Sequence, residues 1–195
     1  MRELLSAARG EEPCDLVFFG GPVIDVFSGS PMEERVGVKD GIIVGIGDYE
    51  GKKEINLGGR VLSPGFTDSH LHIESSMVDV GEFARHVIPL GTTTVVVDPH
   101  EIANVAGLEG IRHFLQEGKK YPWNFHVMLP SCVPSSPFET PGHVLSWEDL
   151  ESLVSQEGVL GLGEVMNFPG VVAGDRDLWA KLEAFRGMAI DGHAP

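Results

Sequence analysis

Apolar positions before about residue 64 come in short runs separated by turn residues; beyond it, short apolar runs alternate with longer amphipathic blocks. Residues 3–9 have the texture of a short helix, closed off by Gly10 and Pro13. The runs at 15–19 and 23–27 read as strands around Gly20-Gly21-Pro22. Runs at 35–39 and 42–46 flank Asp40-Gly41, a two-residue hairpin signal, and runs at 54–57 and 60–62 flank Gly58-Gly59, which predicts a second hairpin. Residues 1–64 are therefore expected to form a small N-terminal β domain.

The second texture predicts strands at 66–73, 92–97, 125–129, 159–164 and 188–190. Helices are expected at 80–88, 102–116, 178–185 and from Ser146 through residue 155, with Asp149 standing where a capping box usually has Glu or Gln. The Thr92–Val97 run is β-branched throughout, as in a strand covered on both faces. Strand–helix alternation implies a parallel sheet with right-handed crossovers, either doubly wound or a (β/α)8 barrel. Polar residues gather just after the strands, where both architectures place their sites. Residues 65–195 fall well short of the roughly 250 residues of a whole barrel. If the sheet is a barrel's, only about its first five βα units are here, as expected of a fragment of a longer protein.

Composition narrows the function. The 195 residues are 42% hydrophobic and 22% charged, with a net charge of −15. Lys52-Lys53 and Lys119-Lys120 are isolated pairs, so nucleic acid and anionic membrane are disfavoured as partners. A small neutral substrate or a cation suits the balance better. No apolar run approaches a bilayer span, and residues 1–14 carry five charges and no apolar h-region, so no secretory signal is expected. The two cysteines, Cys14 and Cys132, fit a reducing cytoplasm.

Four clusters carry candidate chemistry. Asp68-Ser-His70-Leu-His72-Ile-Glu74 puts two imidazoles on one face of an extended strand, about 6–7 Å apart, a ready pair for a divalent ion. Asp98-Pro-His100-Glu101 gathers acid, imidazole and acid at the next strand end; turn and helix-start chemistry accounts for it equally well. Glu164 ends an apolar strand, where a lone carboxylate is costly and a metal would remove the cost. His193, in Asp191-Gly-His193-Ala-Pro195, closes the set. His86, His113, His126 and His143 are not grouped with acids. There is no P-loop, no G-x-S-x-G, no third glycine after Gly45-Ile-Gly47 or Gly161-Leu-Gly163, and no C-x-x-C of a zinc nucleobase deaminase.

Pro64-Gly-Phe-Thr-Asp-Ser-His-Leu-His72 after a β unit, followed by Gly91-Thr-Thr-Thr, resembles the amidohydrolase superfamily of metal-dependent barrel hydrolases. DSHLHIESSM (68–77), GTTTVVVDPHEIANV (91–105), LGLGEVMNFPGV (160–171) and DGHAP (191–195) resemble the adenine deaminase family within it. The resemblance implies an α/β fold: a small N-terminal β-sandwich-like domain over 1–64, and over 65–195 the first part of the metal-dependent-hydrolase (β/α)8 TIM barrel. It implies a binuclear divalent metal centre, manganese or iron first and zinc as the alternative. His70 and His72 would bind one ion, His193 the other, and Glu164 would bridge them. Glu74, Asp98, His100 and Glu101 become candidates for orienting substrate or moving protons. The reaction implied is hydrolysis of adenine to hypoxanthine and ammonia, in purine salvage, by a cytoplasmic protein for which a homo-oligomer is open. The family's further metal ligands come from the sixth and eighth strands, beyond this sequence, so the chain alone is expected to be catalytically incomplete. The rival readings are another amidohydrolase acting on a cyclic amide, and a metal-binding module without turnover.

Overall fold

A computed structural model describes residues 1–193; Ala194 and Pro195, which end the 191–195 run, lie outside the described residues. The chain divides into two compact units, one spanning Met1–Pro64 and one beginning at Gly65.

The first unit opens with α1 (Arg2–Ala8) and continues through β1 (Cys14–Phe19), β2 (Val23–Ile24), β3 (Pro31–Met32), β4 (Val36–Lys39), β5 (Ile42–Ile46) and β6 (Gly51–Asn56). Four of these make a mixed sheet of order β5-β4-β1-β6, and β2 pairs with β3 separately. The expected hairpin forms between β4 and β5, with Asp40 and Gly41 both at positive φ (51° and 74°), as its turn requires. The second hairpin does not form. Beyond β6, Leu57 N–H donates to Phe19 O and Gly59 N–H to Gly20 O, prolonging a parallel ladder with β1, and residues 60–62 touch Val23 only through a single bridge. The strand expected over 23–27 stops at Ile24 because the Asp25 carboxylate accepts from Phe27 N–H, Ser28 N–H and Ser28 Oγ, closing a turn. Ala7, Cys14 and Val17 form the small core, flanked by Val44 and by Tyr49, whose hydroxyl donates to Ala8 O at 3.0 Å.

The second unit runs β7 (Phe66–Leu71), α2 (Val80–Val87), β8 (Thr92–Val97), α3 (His100–Gly118), β9 (Asn124–Pro130), α4 (Trp147–Leu150), β10 (Val159–Val165), α5 (Phe168–Ala173), α6 (Arg176–Ala184) and β11 (Ala189–Gly192). Its sheet is parallel throughout, in the order β11-β10-β9-β8-β7. Each strand lies beside its neighbour in sequence. A doubly wound sheet would reverse direction around its first strand, so this order is that of consecutive barrel strands.

The core lies between strands and helices: Val95, Val97, Val127, Leu129 and Leu162 meet Ile111, Phe114 and Leu115 of α3, with Leu150, Leu153 and Phe185. Each such side chain taken fully out of water contributes about 1.5–3 kcal/mol. Only Val95 and Val97 of β8 are buried; its threonines and Val96 are half-buried, less covered than the β-branched run suggests. Asp79 caps α2 by accepting from Val80 N–H at 2.8 Å, and Ser146 forms its capping box with Asp149. The helix expected through residue 155 is shorter, a turn of α-helix followed by a 3-10 turn. Helix α3 is longer than expected and bends at Gly107, whose φ of 59° departs from the helix where the His143 ring packs against it. Among the described residues no helix is long and apolar enough to cross a membrane.

Candidate metal centre

The carboxyl ends of four parallel strands bring the candidate residues together. His70 is the last residue but one of β7 and His72 follows the strand; Asp98 follows β8, and His100 and Glu101 open α3; Glu164 is near the end of β10; His193 follows β11. Backbone pairing sets these positions. Asp98 N–H donates to Leu71 O at 3.1 Å, fixing the end of β8 beside the His70/His72 segment. The β10–β11 register slips between Leu162 and Val165, where Glu164 turns into the cluster. Ser131, just past β9, donates its hydroxyl to Glu164 O at 2.6 Å and holds that backbone.

Glu164 is the hub. Its Oε1 lies 3.2 Å from His70 Nε2 and 3.4 Å from His193 Nε2; its Oε2 lies 3.6 Å from both His72 Nε2 and His100 Nδ1. The rings of His70 and His72 stand 5.0 Å apart, edge to face, and those of His72 and His100 stand 4.7 Å apart. The far nitrogens of the first pair are engaged. His70 Nδ1 is 2.9 Å from Asp191 Oδ2, and His72 Nδ1 is 2.8 Å from the carbonyl of Asp98. A carbonyl only accepts, so His72 donates from Nδ1 and, as a neutral ring, presents the bare Nε2 lone pair to Glu164. Lone pair facing carboxylate is repulsive unless a cation lies between them. Orienting the far nitrogen in this way is the usual arrangement behind a metal-ligating histidine.

The donor set fits divalent ions. Ligands about 2 Å from a common ion stand about 3–3.5 Å from one another, close to the spacings here. Of six buried side-chain polar atoms left without a hydrogen-bond partner among the described residues, five belong to Glu74, Asp98, His100 and Glu101. Such atoms are costly unless something charged or donating meets them. Burial pushes the Asp98 carboxyl up, opposed by His100 beside it. His100 is also raised: burial works against it, but Asp98, Glu101 and Glu164 together outweigh that effect. Glu74 is raised chiefly by burial.

All eight sequence-derived candidates fall in this region, in differing roles. His70, His72, Glu164 and His193 meet at one carboxylate. Asp98, His100 and Glu101 flank it, with Glu101 Oε2 at 3.4 Å from His72 Nδ1 and 3.7 Å from His100 Nε2. Glu74 is turned to another task on one side, accepting from Ile102 N–H at 3.0 Å at the start of α3. Residue patterns gave no role to Asp191 or Ser131; Asp191 had a signal in its position at a strand end beside His193, whereas Ser131 had none. The four isolated histidines contribute nothing to the cluster: His86 pairs with Glu82 O, for example, and His113 with Asp79. A hollow of 270 Å³ opens beside the cluster, lined by His100, Glu101, Asn104, Val105, Cys132 and Ser135, with Glu139 at its edge.

Comparison with known proteins adds an independent line. The profile described as "Amidohydrolase family" matches residues 61–194. The chain is 52% identical over 194 residues to an adenine deaminase of Petrotoga mobilis, covering all of this chain and 34% of that protein. It is 50% identical to an adenine deaminase of Cereibacter sphaeroides and 47% identical to adenine deaminase 2 of Carboxydothermus hydrogenoformans, covering 35% and 34% of those proteins. The chain thus spans about a third of the length of the curated relatives it matches.

Proposed function

Because the chain belongs to the amidohydrolase family, we propose that it supplies the first part of a binuclear metal site that hydrolyses adenine to hypoxanthine and ammonia. The observation that carries this reading is the convergence of His70, His72 and His193 on the two oxygens of Glu164. Identity of 50–52% to adenine deaminases, over about a third of their length, supports the substrate. His70 and His72 would hold one ion and His193 the other, with Glu164 shared between them. Nitrogen and carboxylate donors without a thiolate suit manganese or iron, with zinc as the alternative. Divalent ions held there act as Lewis acids and make water nucleophilic at neutral pH.

The chain's own residues do the rest. Asp191 and the Asp98 carbonyl keep the His70 and His72 rings in their ligating orientation. Water adds to C6, the C6–N6 bond breaks and ammonia leaves, so a proton must reach the departing amine. His100, Glu101 and Asp98 line that path, and Glu74 steadies the start of α3 behind it. The hollow beside His100 and Glu101 is where a flat heterocycle would approach. A cytoplasmic role in purine salvage follows from the substrate and is supported by two buried, unpaired cysteines; assembly into homo-oligomers is part of the same reading.

The test is a chimera joining this chain to the remaining two thirds of the Petrotoga mobilis relative, loaded with manganese and given adenine, dihydroorotate or hydantoin. Release of ammonia and hypoxanthine from adenine is expected. Turnover of a cyclic amide with adenine untouched, or tight metal binding with no turnover of any of the three, overturns the proposal.

A further inference from the structure

Glu164 Oε2 lies between two rings, 3.6 Å from His72 Nε2 and 3.6 Å from His100 Nδ1. His100 Nδ1 in turn lies 3.4 Å from Asp98 Oδ1. Neither pair is a hydrogen bond: His100 Nδ1 and both Asp98 oxygens are buried without a partner. Asp98 is only 2% exposed, so water does not satisfy it in bulk. Protein donors do not reach it either. Gly163 packs so closely that an added Cβ would run into Asp98 Oδ2, and the buried Lys181 ammonium is committed to Asp177 and to the carbonyls of Ser131 and Leu145. A fully buried carboxylate crowded by an imidazole and a second carboxylate, hydrogen-bonded to neither, needs positive charge among them.

We propose that Asp98 Oδ1, His100 Nδ1 and Glu164 Oε2 bind a divalent cation additional to the pair assigned to His70, His72, Glu164 and His193. One atom from each of these three residues lies within 4.8 Å of the other two, a span that one ion can bridge with small side-chain adjustments. Two carboxylate oxygens and one imidazole nitrogen suit a first-row ion such as manganese, iron or zinc. Glu101 Oε2, 3.7 Å from His100 Nε2, steadies the opposite edge of the ring. The third ion shares Glu164, so it draws that carboxylate taut between the two halves of the cluster. An ion held there takes Asp98 and His100 out of the proton path assigned above and leaves Glu101 on it; the site itself does not depend on adenine being the substrate.

Crystals of the chain soaked in manganese chloride, with anomalous scattering recorded at the manganese edge, test this directly. A peak about 2–2.3 Å from Asp98 Oδ1, His100 Nδ1 and Glu164 Oε2 is expected, distinct from any peak between His70 and His72. In D98N crystals that peak should vanish while the His70/His72 peak stays. In solution, equilibrium dialysis of the folded H100Q variant should find one manganese fewer per chain than the unaltered chain. Peaks confined to the His70 side, a peak that survives D98N, or equal counts in H100Q overturn the third site. None of these results bears on whether adenine is hydrolysed, which the chimera assay reads separately.

Discussion

Glu164 is only slightly exposed and has four imidazoles within 3.6 Å of its oxygens, so its deletion removes the one carboxylate that all four rings share. Glu101 has a smaller share. It is more exposed and touches the rings of His72 and His100 at 3.4 and 3.7 Å, on the edges turned away from Glu164 in the case of His72 Nδ1 and His100 Nε2. Removing a residue that orients a ligand typically lowers metal affinity about 10–100-fold. We therefore expect E164A to lower manganese affinity by more than about 100-fold and E101A by about 10-fold or less. Isothermal titration of both variants checks this; equal losses would take Glu164 out of the bridging role. The residues that meet at Glu164 could be read from sequence because each sits at the end of an apolar run, where a charged or imidazole side chain is conspicuous. The orienting groups could not. The Asp98 carbonyl is backbone, and Ser131 matters only because β9 runs beside β10.

Among the elements, α6 carries a group that hydropathy patterns place on the surface. Lys181 is 2% exposed; its ammonium donates to Ser131 O at 3.0 Å and Leu145 O at 2.7 Å and pairs with Asp177 at 2.7 Å. Asp177 also accepts from Trp147 N–H at 2.6 Å, so one lysine ties α6 to the segment after β9 and to the start of α4. Replacing Lys181 with Met keeps the volume but strands two carbonyls and a carboxylate, at a cost of about 2–4 kcal/mol. Urea unfolding of K181M measures it; a loss below about 0.5 kcal/mol would mean the three acceptors find other donors. Sequence reading places Lys181 in a helix but cannot bury it, because its partners lie 36 and 50 residues away along the chain. The missing second hairpin has a similar cause. Gly58-Gly59 is a sound turn signal, and the turn exists, but the edge of β1 offers β6 a longer parallel ladder than residues 60–62 could offer as a partner. In the same sheet, Asp15 accepts from Lys52 at 2.9 Å, from Asp40 N–H at 3.1 Å and from Lys39 at 3.2 Å. Lys52 foremost, then the Asp40 amide and Lys39, hold its carboxyl well below the usual carboxylate range. A carboxyl depressed in the folded state adds stability that is complete above its unfolded value of 3.8 and fades as pH falls below it. Melts monitored by far-ultraviolet circular dichroism between pH 7 and pH 2 should show D15N less stable than the unaltered chain at neutral pH, with the difference shrinking below about pH 4. A constant difference across that range would remove the carboxylate from the account.

At the scale of the molecule, metal binding at the proposed site would be linked to folding, because its candidate ligands come from separate strand ends and no such site exists in an unfolded chain. The candidate ligands lie at the ends of four strands of the second unit, β7, β8, β10 and β11, so an ion filling the site would hold those strand ends in register together. A net charge of −15 adds to the incentive, since each bound cation offsets part of the chain's self-repulsion. The three tryptophans, Trp123, Trp147 and Trp179, all lie in the second unit, so their fluorescence reports its unfolding specifically. An ion that binds only the folded form, present at about 100 times its dissociation constant, stabilises by about 2.7 kcal/mol, which for a unit of this size raises the melting midpoint by about 10 °C. Manganese should therefore raise the fluorescence midpoint, EDTA should return it, and E164A should abolish most of the shift while leaving the metal-free midpoint within a few degrees. That last comparison separates the cation from the scaffold. A carboxylate crowded by lone pairs stabilises little by itself, so a large fall in the metal-free midpoint of E164A would mean that Glu164 holds the strand ends together through protein contacts instead of through an ion.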